Sequence, residues 1–152
     1  MKIANSIKLT VFAKQEENQE KIKSTLLSLI PFNLEQENLQ ISQQTATGFN
    51  ENKIIIFEIL LEKERHIQSF LDNLLQNLSQ EAKQLILKQA ESRLGNECNF
   101  FLRFSKDKLI NENEIWLTDQ GNCFHIKINI AAFPKNRDIA LEIIRNVFKV
   151  EE

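Results

Sequence analysis

The chain has 152 residues, 42% of them hydrophobic and 26% charged, the arithmetic of one globular domain large enough to bury a sizeable core. Nineteen basic against 21 acidic residues leave a formal charge of -2, which excludes a protein that coats DNA or an anionic membrane through its overall field and confines any nucleic-acid contact to a local patch. No apolar run approaches the roughly 20 residues of a membrane helix, and Met1-Lys2-Ile3-Ala4-Asn5 is too short and polar to open a signal peptide, so a cytoplasmic protein is expected.

From Ile3 to Ala13 apolar and polar residues alternate, with Ile7, Leu9 and Val11 against Lys8 and Thr10, the period of a half-buried strand. Glu16 to Ile30 changes to helical spacing through Ile22, Leu26, Leu29 and Ile30, with Glu16, Glu17 and Glu20 near the positive end of the helix dipole, and Pro31 ends it. Asn38 to Thr47 reads as a weak, polar strand, the stretch from Thr47 to Asn52 as a turn, and Lys53 to Leu61 as the most apolar strand of the chain. Lys63 to Leu94 is a long helical region in which Ile67, Phe70, Leu71, Leu74, Leu75 and Leu78 form an apolar stripe. Ser79 suits an N-cap, which implies two helices or one bent helix, and Gly95 supplies the stop. Three strands follow at Asn99 to Ser105, Glu114 to Asp119 and Cys123 to Ala131, the last two joined through Gln120-Gly121-Asn122 as a hairpin. Pro134 then opens a last helix with Ile139, Ala140, Ile143, Ile144, Val147 and Phe148 on one face.

The order β-α-ββ-α(α)-βββ-α, with strand pairs joined too tightly for crossovers, predicts a single α+β domain over residues 1–152. Its sheet is mostly antiparallel, of five to six strands, with helices packed on it. Cys98 and Cys123 lack CxxC spacing and neighbouring histidines, so both are expected to pack as small apolar residues.

The search for an enzyme is negative. His66 falls on a helix and His125 in a strand, and there is no HExxH, GxSxG, phosphate-loop or dinucleotide glycine motif. Three glycines cannot build a loop with several close backbone approaches to phosphate. Glu112 and Glu114 are the nearest thing to paired carboxylates, and they read as a solvated turn. No catalytic residue, metal site or cofactor is expected.

The sheet carries more information. In the last three strands Phe100, Leu102 and Phe104, Ile115 and Leu117, and Phe124, Ile126, Ile128 and Ile130 form the core face. The opposite face receives Phe101, Arg103 and Ser105; Trp116 and Thr118; and His125, Lys127 and Asn129, joined by Lys8, Thr10 and Phe12 of the first strand. A surface that mixes Phe and Trp with Arg, Lys and His can stack unpaired bases and hold phosphates. Two arrangements are open: either this face is bare, or a second helical layer covers part of it and uses Phe101, Trp116 and Phe12 as ordinary packing. Arg103, Lys106 and Lys108 lie within six positions, interrupted among charges only by Asp107. Such a cluster also reads as a solvated strand end.

The run Phe100-Phe101-Leu102-Arg103-Phe104-Ser105-Lys106-Asp107 resembles the hydrophobic-Leu-Arg-hydrophobic-x-Lys segment of a family of small archaeal proteins described as RNA-binding and as predicted exosome subunits. Asn113 to Leu117 and Phe124 to Ile128 are similar to its next two strands. Thr47 to Ile54 is similar to its Gly-rich loop with an Asn before an apolar strand, and Leu26 to Pro31 to its first helix end. The resemblance implies an α+β domain like that of the ribosomal protein that binds 5S rRNA, and it implies RNA contacts at Arg103, Lys106 and Asn52. Asp107 departs from the family, which tends to have Gln there, and Phe49-Asn50-Glu51 stands where the family carries more glycine.

The leading expectation is a non-enzymatic RNA-binding protein, an accessory factor of RNA processing or degradation. Its candidate contacts are Arg103, Lys106, Lys108, Lys127, His125, Phe101, Trp116 and Asn52. The alternative is a protein-interaction or homodimerisation module that presents a strand or the Leu-rich helix. The RNA reading makes a physical demand: acids must segregate onto helices and tail (Glu16, Glu17, Glu20, Glu151, Glu152), leaving Arg103, Lys106, Lys108 and Lys127 in one positive region.

Overall fold

The structure, a computed structural model, describes residues 2–150 apart from the side chain of Phe49. Glu151 and Glu152 of the expected acidic tail lie outside the described residues. The elements run β1 (Ala4–Lys14), α1 (Gln19–Ser28), β2 (Ser42–Thr47), β3 (Lys53–Leu61), α2 (Glu64–Asn77), α3 (Gln80–Lys88), α4 (Ala90–Arg93), β4 (Asn99–Ser105), α5 (Lys106–Glu112), β5 (Cys123–Ile130) and α6 (Arg137–Val147). The five strands form one open antiparallel sheet in the order β2-β3-β1-β5-β4, so the expected α+β class holds with five strands. Contacts divide the chain into two compact units: Met1–Ile7, Leu61–Leu102 and Lys127–Glu152 in the first, Lys8–Leu60 and Arg103–Ile126 in the second.

In the first unit the apolar stripe of α2 buries Ile67, Phe70, Leu71 and Leu74, and α6 buries Ala140, Leu141, Ile143 and Ile144. They share the core with Phe100, Leu102, Ile128 and Ile130. Phe100 and Phe148 meet with ring centroids 5.9 Å apart, a spacing favourable for tilted rings. Ser79 caps α3 by accepting from the Ala82 N–H at 3.0 Å, as its sequence position suggests. The long helical region divides into three helices. Gly95 is needed for space and not for an unusual φ: its φ is -95°, while a Cβ there would lie 2.9 Å from Cε2 of Phe101. The last helix opens at Asn136 instead of Pro134, because the Asn136 side chain accepts from the Ile139 N–H at 2.8 Å.

In the second unit Leu9, Val11 and Ala13 of β1, Phe57 and Ile59 of β3, and Phe104, Phe124 and Ile126 point inward, where Ile22 and Leu26 of α1 and Leu109 of α5 complete the core. β2 pairs antiparallel with β3 in the register Ser42↔Glu58 to Thr47↔Lys53. This edge strand is short and almost wholly polar, which discourages further strand addition. α1 starts three residues later than expected, at Gln19, because Asn18 caps it by accepting from the Lys21 N–H at 3.1 Å.

The stretch Glu114 to Asp119 departs from expectation: it forms no strand and no hairpin with β5. Its only bridge is Leu117 to Phe104, flanked by the Ser105 N–H on the Trp116 carbonyl at 2.8 Å and the Thr118 N–H on the Arg103 carbonyl at 3.0 Å. Lys106 and Lys108, expected at a strand end, and Glu112, expected in a solvated turn, belong instead to α5. Ser105 caps it by accepting from the Lys108 N–H, and Asn113 ends it in the left-handed conformation at φ 53°.

Candidate nucleic-acid interface

Alternation along β4 sends Arg103 and Ser105 outward while Leu102 and Phe104 are buried. The bridge between Phe104 and Leu117 places Ser105 opposite Trp116 and Arg103 opposite Thr118, so the Trp116 ring and the Arg103 side chain share the outer face one diagonal step apart. Asn129 Nδ2 of β5 donates to Asn99 Oδ1 of β4 at 2.9 Å, and His125, four residues before Asn129, has the same outward parity on β5. The outer face of the second unit is open. Arg103 and Phe12 are exposed, and Lys8, Thr10, Ser105 and His125 half-buried.

The best defined group on this face is built around Trp116, which is 52% exposed. Lys108 Nζ lies over its ring, 4.7 Å from the centroid. The indole N–H donates to Glu114 Oε2 at 2.9 Å. Lys108 also pairs with Glu112 one helical turn on, at 2.9 Å. That hydrogen bond pushes the Lys108 pKa up from 10.5, with Glu114 and Asp107 acting in the same direction. Arg103 makes one bond, from Nη1 to the Asp119 carbonyl at 3.2 Å, which leaves most of its donors facing solvent.

Lys106 is a different case. The expected surface charge is a buried tie, 7% exposed. Its ammonium donates to the Phe12 carbonyl at 2.5 Å, to Asn122 Oδ1 at 2.6 Å and to both oxygens of Glu17 at 3.1 and 3.2 Å. An ammonium has three N–H bonds, and these acceptors use all of them. Burial pushes the Glu17 carboxyl up, but the Lys14 N–H and the Lys106 ammonium outweigh it and hold the pKa below 4.5.

The other expected contacts are dispersed. Asn52 sits in an exposed loop whose backbone closes through the Gly48 N–H on the Asn52 carbonyl at 2.7 Å, before a strand separated from β4 by β1 and β5. Lys127 and Phe101 belong to the first unit, where both are half-buried and the Phe101 ring packs against Gly95. The segregation of acids also fails locally, because Glu112, Glu114 and Glu17 sit directly on the cations and aromatic that were to form the positive region. Sequence reasoning missed Glu17 and Asn122 as partners of Lys106: they lie 89 and 16 positions away.

The first unit holds an open cleft of about 350 Å³ beside Asn96 and Cys98. Its cations are engaged, Lys135 with Glu97 and Arg137 with the carbonyls of Leu94 and Glu91. Among the described residues no three His, Cys, Asp or Glu side chains are grouped to hold a metal ion, and no helix is long and apolar enough to cross a membrane.

Comparison with known proteins agrees with the fold. The RNA-binding protein PAB1135 of Pyrococcus abyssi is 24% identical over 149 residues, 98% of this chain and 96% of its own length. The crystal structure of AF2318 from Archaeglobus fulgidus, of the DUF54 family, superposes with a TM-score of 0.83 at 25% identity, covering 95% of this chain and 99% of that one. SSO0741 from Sulfolobus solfataricus, of the same family, gives a TM-score of 0.76 at 26% identity over 94% and 97% of the two chains. The sequence signature of a family described simply as RNA binding matches residues 6–130, which takes in most of β1, all of β2 to β5 and the whole group around Trp116. The chain belongs to this RNA-binding family.

Proposed function

We propose that the protein binds RNA on the open outer face of its second unit, through Arg103, His125 and Trp116 with Lys108 behind the ring. The observation that carries this reading is the coincidence of family and face: the match to the RNA-binding family spans the one group where an exposed guanidinium and a half-exposed indole share a strand edge. A relative named as an RNA-binding protein, similar over nearly the whole chain, supports the same reading. In this reading the protein is a non-enzymatic accessory factor that presents RNA to a processing or degrading machine. Lys106 takes no part in the contact.

With Lys106 buried and Lys108 committed to Glu112, about two to three phosphate contacts remain, for a log-log salt slope of roughly -1.5 to -2 on single strands. Fluorescence anisotropy with a single-stranded and a structured RNA at two salt concentrations tests it. Salt-sensitive binding of that slope is expected, and no binding of either RNA overturns the proposal.

A second reading, a protein contact or homodimer, is favoured by one observation. On the outward side of β3 the apolar Leu60 is 43% exposed, two residues along the strand from Glu58, which pairs with Lys8 at 3.9 Å. Light scattering on the wild type and on Leu60→Lys separates the two readings, since loss of an oligomer with RNA affinity intact assigns this patch to protein and not to RNA.

A further inference from the structure

We infer that the uncovered face of the Trp116 ring is the seat of one unpaired base of a single-stranded RNA. The inference rests on the RNA-binding reading above and goes on to name the substrate class. Three constraints fix the ring before any ligand arrives. The Trp116 carbonyl accepts the Ser105 N–H at 2.8 Å, the indole N–H is held by Glu114 at 2.9 Å, and Lys108 covers one face at 4.7 Å. Lys108 is itself held by Glu112 and by its place in the first turns of α5, so the lysine is a positioning residue for the ring. Lys108 takes one face and Glu114 the N–H edge, and Trp116 is still 52% exposed, which leaves the opposite face as the place for a ligand ring. A flat, rigid, immobilised indole loses little entropy when another planar ring stacks on it.

The surroundings select an unpaired nucleotide. In a duplex each base face is already stacked on its neighbours, so a lone surface indole has nothing to stack on except at an end or a loop. The Glu114 carboxylate on the N–H edge repels phosphates, while Arg103 lies on the other flank of the ring with most of its guanidinium donors open. One of the two phosphates flanking the stacked base therefore lies on the Arg103 side, which sets the path of the strand past β4.

Trp116 is the only tryptophan and the chain has no tyrosine, so intrinsic emission reports this ring alone. The experiment titrates the full chain at low salt with an eight-nucleotide single-stranded RNA, and separately with the same RNA annealed to its complement. Emission and acrylamide quenching are followed, and anisotropy on labelled RNA runs in parallel. The single strand is expected to quench Trp116 and shield it from acrylamide, and the duplex to do neither. Trp116→Ala should weaken single-strand binding by about ten- to a hundred-fold, and Trp116→Phe should restore most of it. Binding by anisotropy with unchanged emission, or with equal affinity in Trp116→Ala, overturns the inference and leaves the RNA reading standing. No binding by either method overturns both.

Discussion

The Lys106 ammonium and the Glu17 carboxylate meet at 3.1 Å across 89 positions of sequence, with the lysine buried and the glutamate side chain 25% exposed. The contact ties the end of β1, the entry to α1, the start of α5 and the turn before β5 to a single nitrogen, because the Phe12 carbonyl and Asn122 bind the same ammonium. Lys106→Met keeps the apolar stem and removes the charge, leaving a partly buried carboxylate and a carbonyl without their donor. The cost is expected at about 2–4 kcal/mol, below the range for a wholly buried pair because water reaches Glu17. Urea unfolding measures it. Glu17→Gln in the same chain should cost less than it does alone, since the two side chains act as one unit. Lys106→Met should leave the salt slope of RNA binding unchanged, whereas Arg103→Ala lowers it by about 0.7. A lower slope in Lys106→Met refutes the buried-tie assignment.

The same pair fixes a pH dependence. Burial raises the Glu17 pKa, and the Lys14 N–H and Lys106 lower it further than burial raises it, so the folded value lies below 4.5. A carboxyl with a depressed folded pKa stabilises the fold above its unfolded value, and that contribution disappears as pH falls through the folded value. The stability of the wild type should therefore drop below about pH 4.5 more steeply than that of Glu17→Gln. Unfolding midpoints from pH 7 to pH 3 make the comparison, and parallel curves for the two chains refute it.

The five strands of the sheet, the helical stripe of α2 and the cap at Ser79 are legible because each depends on residues close in sequence, whereas the sixth strand, expected at Glu114 to Asp119, does not form. α5 is not legible. Its seven residues hold only one apolar pair, Leu109 and Ile110, too few for a helical period to show, and its boundaries rest on a single serine and on an asparagine in a conformation that sequence alone does not specify. Of the strand expected from Glu114 to Asp119 only the bridge of Leu117 to Phe104 forms. Trp116 and Arg103 were placed correctly on the outer face by alternation. The burial of Lys106 was readable in principle, since position 106 has the parity of Phe100, Leu102 and Phe104, all buried. Its partners were not, because neither Glu17 nor Asn122 is near in sequence.

α5 holds Lys108 against Trp116 and is too short to exist without its caps. Ser105→Ala removes the acceptor for the Lys108 N–H and should cost about 1 kcal/mol. Asn113 has φ 53°, so Asn113→Val forces a β-branched residue into the left-handed region at a cost of about 1–2 kcal/mol, while Asn113→Gly is neutral or stabilising. Both destabilised variants should also change Trp116 emission in the native baseline as Lys108 leaves the ring. Altered stability with unchanged native emission would show that the lysine does not depend on α5.

Gly95 tests whether Phe101 packs or binds. Its φ of -95° suits any residue, so Gly95→Ala carries no backbone penalty and its whole effect is steric. The new Cβ would stand 2.9 Å from Cε2 of Phe101, and the backbone at Gly95 is held by its N–H on the Asn99 carbonyl at 2.8 Å. The ring must swing outward, at an expected cost of about 1–2 kcal/mol. Phe101→Leu shortens the side chain and should make Gly95→Ala nearly neutral in the double variant, which a double-mutant cycle in urea reads directly. A ring that serves packing predicts that all three chains bind RNA as the wild type does. If swinging Phe101 outward raises RNA affinity instead, the ring is a second stacking surface that the glycine keeps folded down.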